Sequence, residues 1–224
     1  MPEQTIAAEP PTNERSSRDE AVGESLKTAV DSSASVVRTS CIALAVLAGL
    51  TVVGAVVFRT NPFATLRLAG GDALLGLAAA LPMVFVIYVS QDLNALLIRT
   101  LGPALSSIGW AARIALALAF AVFEELLFRG VVQSVMVDWL GAGSMAIATT
   151  AALFAAGYAV TRGFFVAAFF AGCYLSALAF SGTETNLLRP IVAHATFNVL
   201  LVWLLTTQWR QYVAAEASAA EAPA

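Results

Sequence analysis

The feature that most constrains this chain is a series of apolar stretches, each long enough to cross a lipid bilayer. A transmembrane helix needs about 20 mostly apolar residues. With 59% hydrophobic and 12% charged residues, the chain also has too little charge to cover the surface of a soluble domain. Continuous runs favour helices over the short alternating segments of a membrane barrel. The predicted fold is therefore all-α, a polytopic transmembrane bundle of about six spans. The predicted spans are approximately 40–58, 73–90, 111–137, 144–160, 164–180 and 188–206.

Polar segments flank the predicted bundle, which covers residues 38–206. Residues 1–37 are charged and contain few large apolar side chains, so a disordered N-terminal tail is predicted there. Residues 207–224 end in AAEASAAEAPA and are predicted to form a short C-terminal tail. The stretch QDLNALLIRTLGPALSSIGW, residues 91–110, leaves two alternatives open: an extension of the second span or an interfacial helix.

The distribution of basic residues predicts the orientation in the membrane. Cytoplasmic loops carry an excess of lysine and arginine, and the bias here favours a cytoplasmic N-terminus in the plasma membrane. The net charge of −3 gives no electrostatic footprint for nucleic acid. The basic residues predicted at cytoplasmic ends are Lys27, Arg38, Arg99, Arg162 and Arg210, and those predicted outside are Arg59, Arg67 and Arg189.

Two adjacent carboxylates and an arginine interrupt the third span in FEELLFRG, residues 123–130. Each charge at the bilayer centre costs about 2.5–3.5 kcal/mol, so the cluster is expected to face protein or a water-filled cavity. Glu125 and Arg129 are four residues apart, share a helix face and are predicted to pair. Glu124 projects about 100° away and stays free of that pair. The alternatives are an ion pair that locks helices together and a carboxylate that acts as base or nucleophile, and burial favours the second.

The sixth span contains a second polar pair, His194 and Asn198, which are four residues apart on one helix face. His194 is the only histidine in the chain. Either residue alone is typical of hydrogen bonding between helices. An imidazole and an amide that meet a carboxylate can together activate a water and stabilise an oxyanion. We therefore expect Glu124 or Glu125 to lie within several ångströms of His194 or Asn198.

The two motifs carry a resemblance to a known family. EELLFR resembles the EExxxR motif of the CAAX prenyl protease 2 and bacteriocin-processing (CPBP) family of intramembrane proteases, and HATFN resembles its HxxxN motif. The approach LLRPIVAHATFN is also similar to the family's sequence before the last motif. The resemblance covers residues 110–206, and the first two spans carry no signature of the family.

The resemblance implies a helical bundle around a cavity that is open to water and to lipid. A glutamate, together with the histidine of a middle FxxxH motif, activates a water that attacks a peptide bond near a membrane-inserted or prenylated segment. Carried over by position, Glu124 is the water-activating base, and Glu125 and Arg129 support it. His194 and Asn198 line the oxyanion site. The family is often named as a metalloprotease, so a metal is the alternative, but a zinc site is hard to build from two carboxylates and one imidazole. A metal-free glutamate mechanism is favoured, and no cofactor is expected.

The middle motif departs from the family pattern. In FAAGY, Tyr158 follows Phe154 at the place where the FxxxH motif has histidine. A tyrosine, with a pKa of about 10, can donate a hydrogen bond but is a poor base at neutral pH. We expect its phenol to face the same cavity, to bond a carboxylate or a water beside Glu124, and to leave Glu124 as the sole base. Tyr158→His is then expected to increase hydrolysis.

Three functions are consistent with this pattern. The leading prediction is an intramembrane endopeptidase acting on a membrane-associated peptide or protein in the lipid bilayer. The alternative is a catalytically weakened or inactive family member that binds membrane peptides or partner proteins. A small transporter is less favoured, because the sequence shows no pair of broken helices in matching halves.

Overall fold

All regular structure in the described part of the chain is helical, which confirms the predicted all-α class. A computed structural model of the 224-residue protein describes residues 12–141, 143–159, 161–180 and 185–220, with side chains over 32–215 and at 218. The elements are α1 (Thr12–Val57), α2 (Gly70–Val89), α3 (Gln91–Ser107), α4 (Trp110–Glu125), a π-helical segment (Leu126–Val132), α5 (Gln133–Leu140), α6 (Ser144–Ala156), α7 (Arg162–Ala179) and α8 (Leu188–Ala220).

Within the described residues, four helices are long and apolar enough to cross a membrane: Ser32–Val57 of α1, all of α2 and α7, and Leu188–Ala215 of α8. α6 is a shorter apolar helix. α4, the π-helical segment and α5 follow one another without a break and form one helical run from residue 110 to 140. The protein is therefore an integral membrane helical protein, and this architecture fits the six predicted spans without confirming their number.

Most of the two segments predicted to be tails has a helical backbone. Residues 1–11 lie outside the described residues, whereas residues 12–37 form the first part of α1. At the other end α8 continues to Ala220, well beyond the predicted limit of the bundle at 206, and residues 221–224 lie outside the described part. Both segments continue an apolar helix, so they need no helical nucleus of their own. The domain boundaries at 37 and 206 stay predictions.

The ambiguous stretch at residues 91–110 contributes a helix of its own. Ser90, with φ −90° and ψ 87°, leaves helical geometry and separates α3 from α2. α3 packs against α8, α1 and α2, and it buries Leu97 and Gly102. It is therefore not an extension of the second span, and an interfacial position stays a prediction.

α8 is the central helix of the bundle and packs against α2, α3, α4 and α7. One core cluster joins α2, α7 and α8 through Met83, Leu175 and Ala193. The close contact between α2 and α8 depends on Gly76, where a Cβ would lie 2.7 Å from the carbonyl oxygen of Arg189. The sixth predicted span thus lies at the centre of the bundle, and its polar residues point at several neighbouring helices.

The outer faces of α1 and α2 are strongly apolar. Several large side chains there are more than half exposed, and soluble proteins rarely expose so large an apolar surface to water. These faces are suited to contact with lipid tails. Examples are Val53, Val56, Leu81 and Phe85.

A polar cluster, which we call the α2–α8 latch, fixes the start of α8 against the start of α2. Asp72 accepts hydrogen bonds of 2.6 Å from Arg189 Nε and of 2.6 Å from Asn186 Nδ2. Asn186 is buried, and its amide also bonds both backbone groups of Arg67. The latch bonds the start of α8 to the start of α2, five residues before His194.

Candidate active site

The charged motif lies at the point where α4 becomes π-helical. In a π-turn the backbone bonds join residues five apart, so the turn is wider than in an α-helix, and such turns are frequent at functional sites. Glu125 ends α4, and Arg129 lies inside the π-helical segment. Arg129 Nη1 donates to Glu125 Oε1 at 3.1 Å, and both side chains are fully buried. The predicted pairing is confirmed.

Arg129 also connects the motif to α6 and α7. Its Nη2 donates to the carbonyl oxygen of Gly172 at 2.9 Å, and its guanidinium carbon lies 4.8 Å from the ring centroid of Phe154. Gly172 allows α6 and α7 to approach, because a Cβ there would lie 3.1 Å from Ala151 Cα. The charge is thus surrounded by an anion, a carbonyl oxygen and an aromatic face, which together offset the loss of water.

Glu124 points away from this pair, as predicted. Its Oε1 accepts a hydrogen bond of 2.6 Å from the hydroxyl of Tyr158, and the residue is only 7% exposed. Tyr158 lies in the turn after α6, where its N–H donates to the carbonyl oxygen of Ala155. A hydroxyl that donates to a carboxylate forms a short, charge-assisted bond. The expectation that the phenol bonds a carboxylate is confirmed.

His194 lies between the two carboxylates. Its Nδ1 is 2.8 Å from Glu125 Oε1, and its Nε2 is 3.7 Å from Glu124 Oε2. The residue is 4% exposed. The predicted meeting of the two motifs, 69 residues apart in sequence, is confirmed. The longer distance exceeds a direct hydrogen bond and is one that a single water can bridge.

Asn198 lies one turn after His194 on the same helix. Its Nδ2 donates to the carbonyl oxygen of Ala117 in α4 at 3.3 Å. An amide nitrogen carries two hydrogens, so this bond leaves one donor for a ligand. Asn198 therefore joins the site through position and donor capacity, without a direct bond to either glutamate.

A cavity of about 710 Å³ adjoins these residues. Its wall comes from α2, α3, α7 and α8 and from the end of α6, and it is mostly apolar. Tyr158, His194 and Asn198 all border it, so three of the six predicted site residues face one space. A mostly apolar cavity with a few convergent polar groups is the usual form of a ligand site.

Metal binding does not fit the arrangement. In the described part of the chain no group of three His, Cys, Asp or Glu side chains could hold a metal ion. Glu125 Oε1 already serves Arg129 and His194.

Several contacts of the site were not predicted from the sequence. The sequence does not indicate which backbone carbonyl oxygens bond the site, here those of Gly172 and Ala117, because every residue carries a carbonyl oxygen. The cavity walls from α2 and α3 were also missed, since an apolar side chain in a span looks the same whether it faces lipid or a cavity. Among these wall residues are Met83, Ile87 and Leu97.

A comparison with protein families tests the resemblance that the motifs suggest. Residues 105–200 match the family model described as type II CAAX prenyl endopeptidase Rce1-like. The resemblance to the CPBP family is confirmed. The matched segment, less than half of the chain, runs from the end of α3 into α8 and contains both motifs and Tyr158. No curated protein and no solved structure matches the chain.

Proposed function

We propose that this chain is an intramembrane endopeptidase of the CPBP type, in which Glu124 activates a water that attacks a peptide bond of a membrane-associated substrate. The observation that carries the proposal is the environment of the Glu124 carboxylate. Oε1 is held by Tyr158, while Oε2 faces His194 Nε2 across 3.7 Å beside the cavity. The family match over residues 105–200 supports the reaction class.

The proposed reaction uses the side chains in a fixed order. A water beside Glu124 Oε2 gives a proton to the carboxylate as its oxygen attacks the carbonyl carbon of the substrate. The free N–H of Asn198 donates to the oxyanion that forms. Glu124 then passes the proton to the amide nitrogen as the C–N bond breaks, which restores the carboxylate.

The surroundings support this chemistry. The apolar cavity of about 710 Å³ has room for the apolar part of a membrane segment or for a lipid chain attached to it. Exclusion of bulk water strengthens the charge-dipole interactions in the site. The buried Glu125–Arg129 pair beside Glu124 bonds the carbonyl oxygen of Gly172 in α7 and contacts the ring of Phe154 in α6.

We further propose that the protein lies in the plasma membrane with its N-terminus in the cytoplasm. The excess of basic residues at the predicted cytoplasmic ends supports this orientation. Reporter enzymes fused before α1 and in the loop between α1 and α2 should report opposite sides, the first cytoplasmic. The reverse assignment would contradict the proposed orientation.

The experiment that tests the proposal is cleavage of a labelled library of membrane peptides by the purified protein in liposomes. The wild-type protein should yield discrete cleavage products. Glu124→Gln should cleave at least about 10²–10⁴-fold more slowly and should fold normally, because the amide oxygen can still accept from Tyr158. Equal cleavage by both proteins would assign the activity to a contaminant or to another site.

A second candidate function is supported by one observation. Tyr158 occupies the position of the middle-motif histidine, and a phenol that donates to Glu124 does not act as a base. A family member with this substitution could bind membrane peptides or partner proteins without cleaving them. Binding of library peptides without products, with no gain of cleavage in Tyr158→His, would favour this function.

A further inference from the structure

The two hydrogen bonds at Glu125 define where the proton of His194 lies. Glu125 Oε1 accepts from Arg129 Nη1 at 3.1 Å and lies 2.8 Å from His194 Nδ1. A carboxylate paired with arginine is an acceptor, so the imidazole must donate through Nδ1. A buried carboxylate that fixes a histidine tautomer in this way is a recurrent arrangement at catalytic sites.

The next question is whether the other imidazole nitrogen, Nε2, also carries a proton. If Nε2 also carried a proton, the imidazolium would bond Glu124 directly, at about 2.7–2.9 Å. The separation of Nε2 and Glu124 Oε2 is 3.7 Å. This separation is compatible with an imidazole that carries its proton on Nδ1 and presents an unprotonated Nε2 on the side of Glu124 and the cavity.

The 3.7 Å separation of these two acceptors allows one water to donate to both of them. A water oxygen at about 2.8 Å from each of them is compatible with hydrogen bonds to both. Its two hydrogens would then point to Glu124 Oε2 and His194 Nε2. The lone pairs of its oxygen would point away from both acceptors, into the cavity where the substrate carbonyl is proposed to lie.

We infer that His194 is a second acceptor for the attacking water, oriented by Glu125, and that it takes the place of the histidine missing at position 158. The inference rests on the proposed endopeptidase function. It changes the role that the resemblance implies for His194, which is to line the oxyanion site. Asn198 becomes the donor to the oxyanion. Tyr158 holds Glu124 in place, and Glu125 is a positioning residue.

The first test does not depend on hydrolysis. Because His194 is the only histidine, protein labelled with ¹⁵N-histidine gives the resonances of one imidazole without assignment. At neutral pH we expect a protonated Nδ1 and an unprotonated Nε2. Glu124→Gln should retain this tautomer, whereas Glu125→Gln should increase the fraction with the proton on Nε2. A wild-type spectrum with Nε2 protonated would overturn the inference, whether or not the protein cleaves peptides.

The second test separates a base from an oxyanion donor. His194→Gln keeps a side chain that can donate but that cannot accept a proton at neutral pH. We expect its turnover number to fall by about 10²–10⁴-fold, with little change in KM. Retention of most of the turnover would show that His194 acts as a donor and would overturn the inference.

The third test asks whether the base can be moved. Tyr158→His should increase activity by a larger factor in the His194→Gln background than in the wild-type background. Tyr174→His is the matched control, since Tyr174 borders the same cavity but bonds the carbonyl oxygen of Ala79. An equal ratio in both backgrounds, or equal recovery by the control, would contradict the proposed role.

Discussion

Replacement of Arg129 by alanine should destabilise the protein strongly. The change removes the ion pair with Glu125, the hydrogen bond to the carbonyl oxygen of Gly172 and the contact with the ring of Phe154. It also leaves the carboxylate of Glu125, which is 0% exposed, buried without its cation. Removal of one partner of a buried ion pair typically destabilises by about 3–5 kcal/mol. Total stabilities are about 5–15 kcal/mol, so folded yield should fall clearly.

Two control variants separate charge imbalance from loss of packing. Glu124→Gln changes a neighbouring buried carboxylate outside the pair and should keep near wild-type stability. The double variant Glu125→Gln/Arg129→Met removes both charges while it fills the space and leaves an oxygen that can accept from His194. Since a buried pair can be replaced by neutral groups at little net change, the double variant should be more stable than Arg129→Ala.

The assay is thermal unfolding in detergent, together with the fraction of each variant that elutes as a single monodisperse species. We expect a large loss for Arg129→Ala, a small loss for Glu124→Gln and a partial recovery for the double variant. Equal losses for the two single variants would refute the division between a supporting pair and a reactive carboxylate. A melting temperature of Arg129→Ala equal to that of the wild type would refute the energetic argument.

Three further predictions address the neighbourhood of the site. Tyr158→Phe should slow hydrolysis by about tenfold or more, because a hydrogen bond to a charged group is worth about 1.5–3 kcal/mol; Tyr174→Phe in the same assay should not. Gly76→Ala should lower the free energy of unfolding by about 1–3 kcal/mol through overpacking. Gly49→Ala is the control and should leave it unchanged, because nothing lies within 4 Å of its added Cβ. Asp72→Asn should lower the melting temperature by weakening the α2–α8 latch, and an unchanged value would show that the latch is not needed.

Local signals in the sequence were sufficient to predict the main parts of the site. Glu125 and Arg129 were predicted to pair because residues four apart share a helix face, and the structure pairs them. Buried polar groups need partners, and this argument predicted that the two distant motifs meet. The departure at Tyr158 was visible only through the resemblance, and its bond to Glu124 follows from its position.

Other features depend on tertiary packing and have no local signal. The π-helical segment from Leu126 to Val132 is apolar apart from Arg129 and Gly130, and nothing in this pattern distinguishes it from an α-helix. α1 and α8 extend into segments whose composition alone predicted tails. The bond of His194 Nδ1 to Glu125 depends on the rotation and height of α8 against α4. A pattern of spans cannot predict that placement.

The most direct test of the central claim is the initial rate of peptide-bond hydrolysis by wild type and Glu124→Gln in liposomes, with peptide binding measured in parallel. The account predicts that Glu124→Gln binds the peptide with similar affinity and loses about 10²–10⁴-fold or more in rate. A Glu124→Gln variant that folds, binds and hydrolyses as fast as the wild type would contradict it.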